Sequence, residues 1–149
     1  MFMGEYAHAL DDKGRLTIPA RFREALNQGA VITRGFENYL LIYTAEAFQR
    51  LTARTRTLSL TDPTHRALLR MAFSGAADVE PDRQGRILIP PFLRAYAGLD
   101  GDCVVVGVGD YIEVWNRASW EAQLQSINDP ALNAQRFAAM NLAIDAPAD

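Results

Sequence analysis

Apolar residues along this chain fall in short runs broken by glycine, proline and acidic side chains. Tyr6, His8 and Leu10 alternate on a strand over residues 5–10. Leu16-Thr17-Ile18, Val31-Ile32-Thr33 and Tyr39-Leu40-Leu41-Ile42-Tyr43 read as further strands, the last two joined by a turn at residues 35–38. Residues 19–26 read as a short helix stopped at Gly29, and residues 45–58 as a longer one with Phe48, Leu51 and Leu58 on one face. Asp62-Pro63 and Asp129-Pro130 each open another helix by an acidic cap followed by proline. The first carries Leu68, Leu69, Met71 and Phe73 to Gly75, and the second carries Leu132, Phe137 and Met140. Residues 145–149 should fray.

This pattern is written twice. Asp11-Asp12-Lys13-Gly14-Arg15-Leu16-Thr17-Ile18-Pro19 returns as Asp82-Arg83-Gln84-Gly85-Arg86-Ile87-Leu88-Ile89-Pro90, 85 − 14 = 71 residues later. Further on, Gly107 aligns with Gly35, Tyr111 with Tyr39, Trp115 with Tyr43 and Trp120 with Phe48. That offset is 107 − 35 = 72, which implies one residue inserted between helix and strand. The repeat is therefore a whole strand-strand-helix-strand-strand-helix unit. A unit of this size buries little alone, so two should form a pseudo-twofold pair of intertwined hairpins that self-associates.

Each motif spells a tight hairpin. Asp at the first corner bonds backbone amides two residues on, and Gly accepts the positive φ that closes the turn. Asp11 and Asp82 stand four residues before Arg15 and Arg86, so each carboxylate can orient a guanidinium across the turn.

The 149 residues suit one compact domain or two small halves. No apolar run is long enough to span a membrane, and the N-terminus lacks the pattern of a secretion signal. Cys103 is the single cysteine, which excludes a disulfide framework and suits a reducing cytoplasm. A net charge of −3 argues against nucleic acid on its face, but the charge is unevenly spread. Before residue 98 there are 13 basic and 10 acidic side chains, and from there only Arg117 and Arg136 oppose eight acids.

Arg15 and Arg86 are the candidate contacts to DNA, with Lys13 and Arg83 adding charge at the tips and Arg21, Arg23 and Arg94 on adjoining helices. A surface Asp–Arg pair contributes only about 0–1 kcal/mol, weak reason to keep both members at both turns. Paired basic hairpins match the ribbon mode of entering a DNA groove. The richer basic surround of Arg15 implies that Arg15→Ala costs more binding than Arg86→Ala. Arg50, Arg54, Arg56, Arg66 and Arg70 read as a solvated helix face or as partners for an acidic neighbouring subunit, with auxiliary phosphate contact as the alternative. No catalytic pattern is present: His8 and His65 lie in no metal or nucleophile motif, and Gly107-Val108-Gly109 is a strand turn. The reading is a non-enzyme without metal or cofactor. The paired aromatics at residues 39, 43, 115 and 120 fit packing.

The doubled Asp-x-x-Gly-Arg turns ending in Ile-Pro, the N-terminal Met1-Phe2-Met3-Gly4-Glu5-Tyr6, Met71-Ala72-Phe73-Ser74-Gly75-Ala76 and the run from Gly107 to Trp115 together resemble the MraZ family. The resemblance covers residues 1–142, with Met3 departing from an expected branched aliphatic. It implies an α+β, β-rich fold: two SpoVT/AbrB-like swapped-hairpin units forming a pseudo-twofold barrel with connecting helices. The units fall at residues 5–48 and 76–120, with connecting helices at 49–75 and a C-terminal helix and tail at 121–149. It further implies a DNA-binding transcriptional repressor of its own promoter and of a division and cell-wall gene cluster, associated with the nucleoid. The protein would bind promoter direct repeats as a homo-oligomeric ring. Arg15, Arg86, Lys13 and Arg83 would contact DNA, Asp11 and Asp82 would orient the arginines, and Gly14 and Gly85 would form the turns. The alternative is an antitoxin-like interaction module whose arginines bind an acidic protein.

Overall fold

Capping side chains set the longer helices where the sequence places them, and the computed structural model describes residues 1–142. The first copy of the repeat comprises β1 (Phe2–Ala9), β2 (Arg15–Thr17), α1 (Ala20–Leu26), β3 (Ala30–Arg34), β4 (Leu40–Thr44) and α2 (Ala45–Thr55), followed by α3 (Pro63–Ser74). The second comprises β5 (Ala77–Val79), β6 (Arg86–Leu88), α4 (Pro91–Ala97), β7 (Asp102–Gly109), β8 (Ile112–Asn116) and α5 (Arg117–Ile127), followed by α6 (Pro130–Arg136). The Thr44 hydroxyl accepts from the Ala47 amide at 3.0 Å, and the Asp62 carboxylate accepts from Thr64 N at 2.8 Å. Helix α2 ends at Thr55, short of residue 58, because its last amides turn to carbonyls three residues back and tighten the chain.

Two units divide the chain, Met1–Arg117 and Ala118–Asp149. Within the first, a six-stranded sheet runs β1-β7-β8-β4-β3-β5, and β2 and β6 form a separate two-stranded ribbon. The sheet is open, with β1 and β5 at its edges, so the expected barrel is not closed. The turn at residues 11–14 also makes less of a hairpin than the sequence suggests. Leu10 meets Leu16 through a single bridge, and β2 then pairs with β6 of the other half. Likewise β1 pairs with β7, β5 with β3, and β4 with β8. Every one of these pairings crosses between the two repeats.

The register relates the halves by a local twofold. Leu16 faces Ile87 at the centre of the ribbon, with Arg15 opposite Leu88 and Thr17 opposite Arg86. Leu41 faces Glu113 in the same way between β4 and β8. Register also corrects the sequence alignment. Ala30 pairs with Val79 and Thr44, while Cys103 pairs with His8 and Asn116. Ala30 and Cys103 are thus equivalent, and the offset at β3 and β7 is 103 − 30 = 73. Two residues enter before β7 and one leaves the following hairpin turn. Gly107 therefore occupies the place of Arg34, not of Gly35.

Leu16, Ile18, Leu26, Ile32, Leu40, Ile42, Ile87, Ile89, Leu93, Val105, Ile112 and Val114 are fully buried in one core drawn from both repeats. Burying each such side chain stabilises the fold by about 1.5–3 kcal/mol, and both repeats contribute to that shared core. The aromatics pack across the repeats as well: Tyr39 stacks on Trp115 at 4.7 Å, and its counterpart pair Tyr43–Tyr111 lies at 5.8 Å.

In the second unit, Asp129 caps α6 by accepting from Ala131 N and Leu132 N, and Arg136 closes back on Ser126 and Asn133. The helix stops at Arg136, so Phe137 and Met140 lie beyond it rather than on it as the sequence reading placed them, and both are exposed. The fraying assigned to residues 145–149 lies outside the described residues.

Candidate nucleic-acid interface

The two turns have the same bonding. Asp11 Oδ1 accepts from Lys13 N at 3.0 Å and from Arg15 N at 2.8 Å, while Oδ2 accepts from Arg15 Nε at 2.8 Å. Asp82 Oδ1 accepts from Gln84 N and Arg86 N, both at 2.9 Å, and Oδ2 from Arg86 Nε at 3.0 Å. Gly14 and Gly85 close the turns at φ of +82° and +76°, a region that L side chains enter only with strain. These bonds hold both carboxyls below the usual carboxylate range, first through the arginine backbone amides. Each aspartate thus fixes the backbone and the guanidinium together.

Antiparallel pairing of β2 with β6 sets the two turns at opposite ends of one three-residue ribbon. Ile18 N donates to Gly85 O at 2.8 Å, and Ile89 N donates to Gly14 O at 2.9 Å. Arg86 Nη1 also lies 3.9 Å from Asp11 Oδ2, so the first aspartate is shared by both arginines. Strand alternation turns Leu16 and Ile87 into the core and leaves Arg15, Thr17, Arg86 and Leu88 on the opposite face. Lys13 and Arg83 are exposed on the turns. All eight site residues named from the sequence are therefore gathered on one ribbon and its two ends.

Sequence reasoning named Arg23 and Arg94 only as nearby charge. Each lies against the tip glycine of the other repeat: Arg94 beside Gly14 and Arg23 beside Gly85. The signal was available, since 94 − 23 = 71 is the repeat offset. Thr17 and exposed Leu88 stand opposite the two arginines on the ribbon and were not named from the sequence. Strand alternation alone could have placed them.

Other titratable side chains have partners or burial of their own. His65 Nδ1 accepts from Ser59 N at 2.9 Å, and burial pushes the Cys103 thiol up to about 11. Arg50 pairs with Glu46 at 2.8 Å and Arg66 donates to Leu60 O, two helix arginines with partners inside the chain. No helix among the described residues is long and apolar enough to cross a membrane.

The family model for the MraZ protein, antitoxin-like by its description, matches twice in succession, over residues 1–71 and 72–141. A protein of Thermomicrobium roseum named "Transcriptional regulator MraZ" is 50% identical over 142 residues, covering 94% of this chain and 99% of its own. Proteins of the same name from Herpetosiphon aurantiacus and Moorella thermoacetica are 47% and 50% identical, over 88% and 87% of this chain and 92% and 90% of their own. With both repeats matched in order and relatives aligned over nearly their whole length, the chain belongs to the MraZ family.

Proposed function

We propose that this protein is a sequence-specific DNA-binding transcriptional regulator that presents the β2–β6 ribbon to double-stranded DNA. One observation carries the reading: two Asp–Arg turns, written 71 residues apart, close the two ends of one short ribbon, with Arg15 and Arg86 on its outer face. Lys13 and Arg83 neutralise phosphates and fix position, while Arg15 and Arg86 reach base edges or phosphates as planar forks. Asp11 and Asp82 orient them, and Gly14 and Gly85 let the backbone turn beneath. The relatives' shared name supports the regulatory role.

The finer mechanism follows the resemblance. The protein occupies direct repeats in its own promoter, ahead of a division and cell-wall gene cluster, and represses by blocking it, in the cytoplasm on the nucleoid. Its two SpoVT/AbrB-type units span residues 5–48 and 76–120, with connecting helices at 49–75 and a C-terminal helix and tail at 121–149. Exchange of β1 and β5 between the halves supports that division. Copies assemble into a homo-oligomeric ring, so several weak ribbons engage repeats together and gain avidity. Local field at the ribbon, not the net charge of −3, then governs binding. No cofactor, small-molecule substrate or catalysis enters.

Fluorescence-anisotropy titration tests this, using DNA with three spaced direct repeats from the protein's own upstream region against a scrambled control at one salt concentration. Tight binding to the repeats alone, lost in Arg15→Ala, is expected. Arg86 is shared between Asp82 and Asp11, whereas Arg15 pairs with Asp11, so Arg15→Ala should cost more. Equal losses would remove that asymmetry, and equal weak binding to both DNAs would overturn sequence specificity. The antitoxin-like description of the family model favours a second reading, capture of an acidic protein. A steep linear fall of log affinity with log salt on DNA separates the two.

A further inference from the structure

We infer that Arg94 and Arg23 are positioning residues acting across the repeats: each holds the DNA-contacting turn that belongs to the other half. The inference rests on the DNA-binding reading above. It starts from the space beside each tip glycine. A Cβ built on Gly14 would lie 2.6 Å from Cζ and Nη1 of Arg94 and 2.9 Å from its Nε. A Cβ built on Gly85 would collide with Nε and Cζ of Arg23 and lie 2.8 Å from its Cδ. A guanidinium from α4 therefore fills the room at the first tip, and one from α1 fills it at the second.

Neither arginine is placed as an ordinary surface charge. Both are half-buried, unlike exposed Lys13 and Arg83 at the same turns. Neither forms an ion pair among the described residues. Arg23 Nε donates to Ile18 O at 2.8 Å, on the residue whose amide binds Gly85 O. Arg94 Nε is buried with no hydrogen-bond partner. Partial burial of a cation without a carboxylate costs stability, so these side chains are poorly explained as fold stabilisers. What each touches is the glycine between Lys13 and Arg15, or between Gln84 and Arg86. Displacing that glycine displaces the amides that bind the aspartate, and with them the guanidinium that it orients.

The arrangement makes a specific crossed pattern. Arg94 belongs to the second repeat but should behave as part of the Arg15 turn, and Arg23 belongs to the first but should behave as part of the Arg86 turn. A positioning role also differs from phosphate contact. Loss of one phosphate contact lowers the slope of log affinity against log salt by about 0.9, whereas loss of a positioning residue leaves it unchanged. Affinity for the cognate site still falls, because the base-reading arginine is misaligned.

The test uses the full chain with Arg15→Ala, Arg86→Ala, Arg94→Ala, Arg23→Ala and the four crossed doubles, titrated on repeat and scrambled DNA over a salt series. Arg94→Ala is expected to lose about tenfold on repeat DNA, the low end for a misaligned bidentate contact, with its salt slope retained. Added to Arg15→Ala it should lose less than about threefold more, while added to Arg86→Ala the losses should multiply. Arg23→Ala should show the mirror pattern. Arg94→Lys keeps the charge, removes the planar fork and serves if the alanine variant unfolds. It should show the same coupling. Multiplying losses with both partners, coupling to the arginine of the same repeat, or a slope reduced by about one would each overturn the inference. Backbone amide spectra of the free protein give a readout that needs no DNA. Arg94→Lys should shift Lys13, Gly14 and Arg15 and spare Arg83, Gln84 and Gly85, and shifts spread equally over both turns would overturn it. If the unmodified chain fails to prefer repeat DNA, the DNA-binding reading falls, and these spectra decide the crossed positioning by themselves.

Discussion

In the first half of the molecule eight residues of β1 lie along β7, from Phe2 opposite Gly109 to Ala9 opposite Asp102. In the second half only three residues of β5 lie along β3. The chain ahead of β5 is already committed to α3, so it has no further strand to lay down. The gap is filled differently at each end. Gly107 has no side chain where the backbone of Phe2 and Met3 crosses, and a Cβ there would collide with both. At the equivalent place Arg34 donates to Met71 O and Ser74 Oγ, and lies 5.9 Å from the ring centres of Phe92 and Tyr96. The two turns, by contrast, agree bond for bond. Turn geometry is a local property of Asp and Gly, repeated wherever they recur, whereas strand length depends on what the preceding chain is doing.

The largest effects should fall on the shared ribbon, where the halves are alike. Leu16→Ala and Ile87→Ala are each expected to lose about 2–5 kcal/mol by denaturant titration, and equally, because both are fully buried and face each other. A difference beyond about 1 kcal/mol would break the equivalence of the ribbon strands.

Next comes the place where the halves differ. Gly107→Ala should cost about 1–3 kcal/mol, since backbone atoms of β1 must move. Arg34→Ala should cost about 1 kcal/mol, the worth of a part-exposed set of polar contacts. Equal costs in thermal melts would mean that β1 yields as easily as a side chain.

Acid sharpens the comparison of the turns. Both aspartates titrate below their unfolded value of about 3.9, so the unfolded state binds more protons in that window. Their stabilisation is complete above about pH 4 and is lost as pH falls through the lower folded values. Asp11→Asn and Asp82→Asn should flatten the acid limb of the stability curve. Asp11→Asn should flatten it more, because Arg86 adds to Arg15 there. Equal flattening by the two variants would show that the shared contact carries nothing.

The smallest effects belong to the tips. Lys13→Ala and Arg83→Ala, both exposed, should change stability by no more than about 0.5 kcal/mol. Each should still lower the salt slope of DNA binding by about one. A slope lowered by only one of them would mean that a single turn meets phosphate.

By itself the sequence determined the order of the elements, the aspartate–proline starts of α3 and α6, and both Asp–Gly–Arg turns. These depend on bonds between residues two to four apart and on the φ that Gly and Pro allow, so a short window holds all the information. Tertiary structure alone decided that β2 leaves its own hairpin to pair with β6, that the sheet stays open, and that Ala30 rather than Val31 matches Cys103. It also decided that Arg94 serves Gly14 and Arg23 serves Gly85. Any short apolar strand can hydrogen-bond with any other, and partner and register are chosen by which arrangement buries the most side chains at once. That choice is made over the whole core, and no window of the chain contains it.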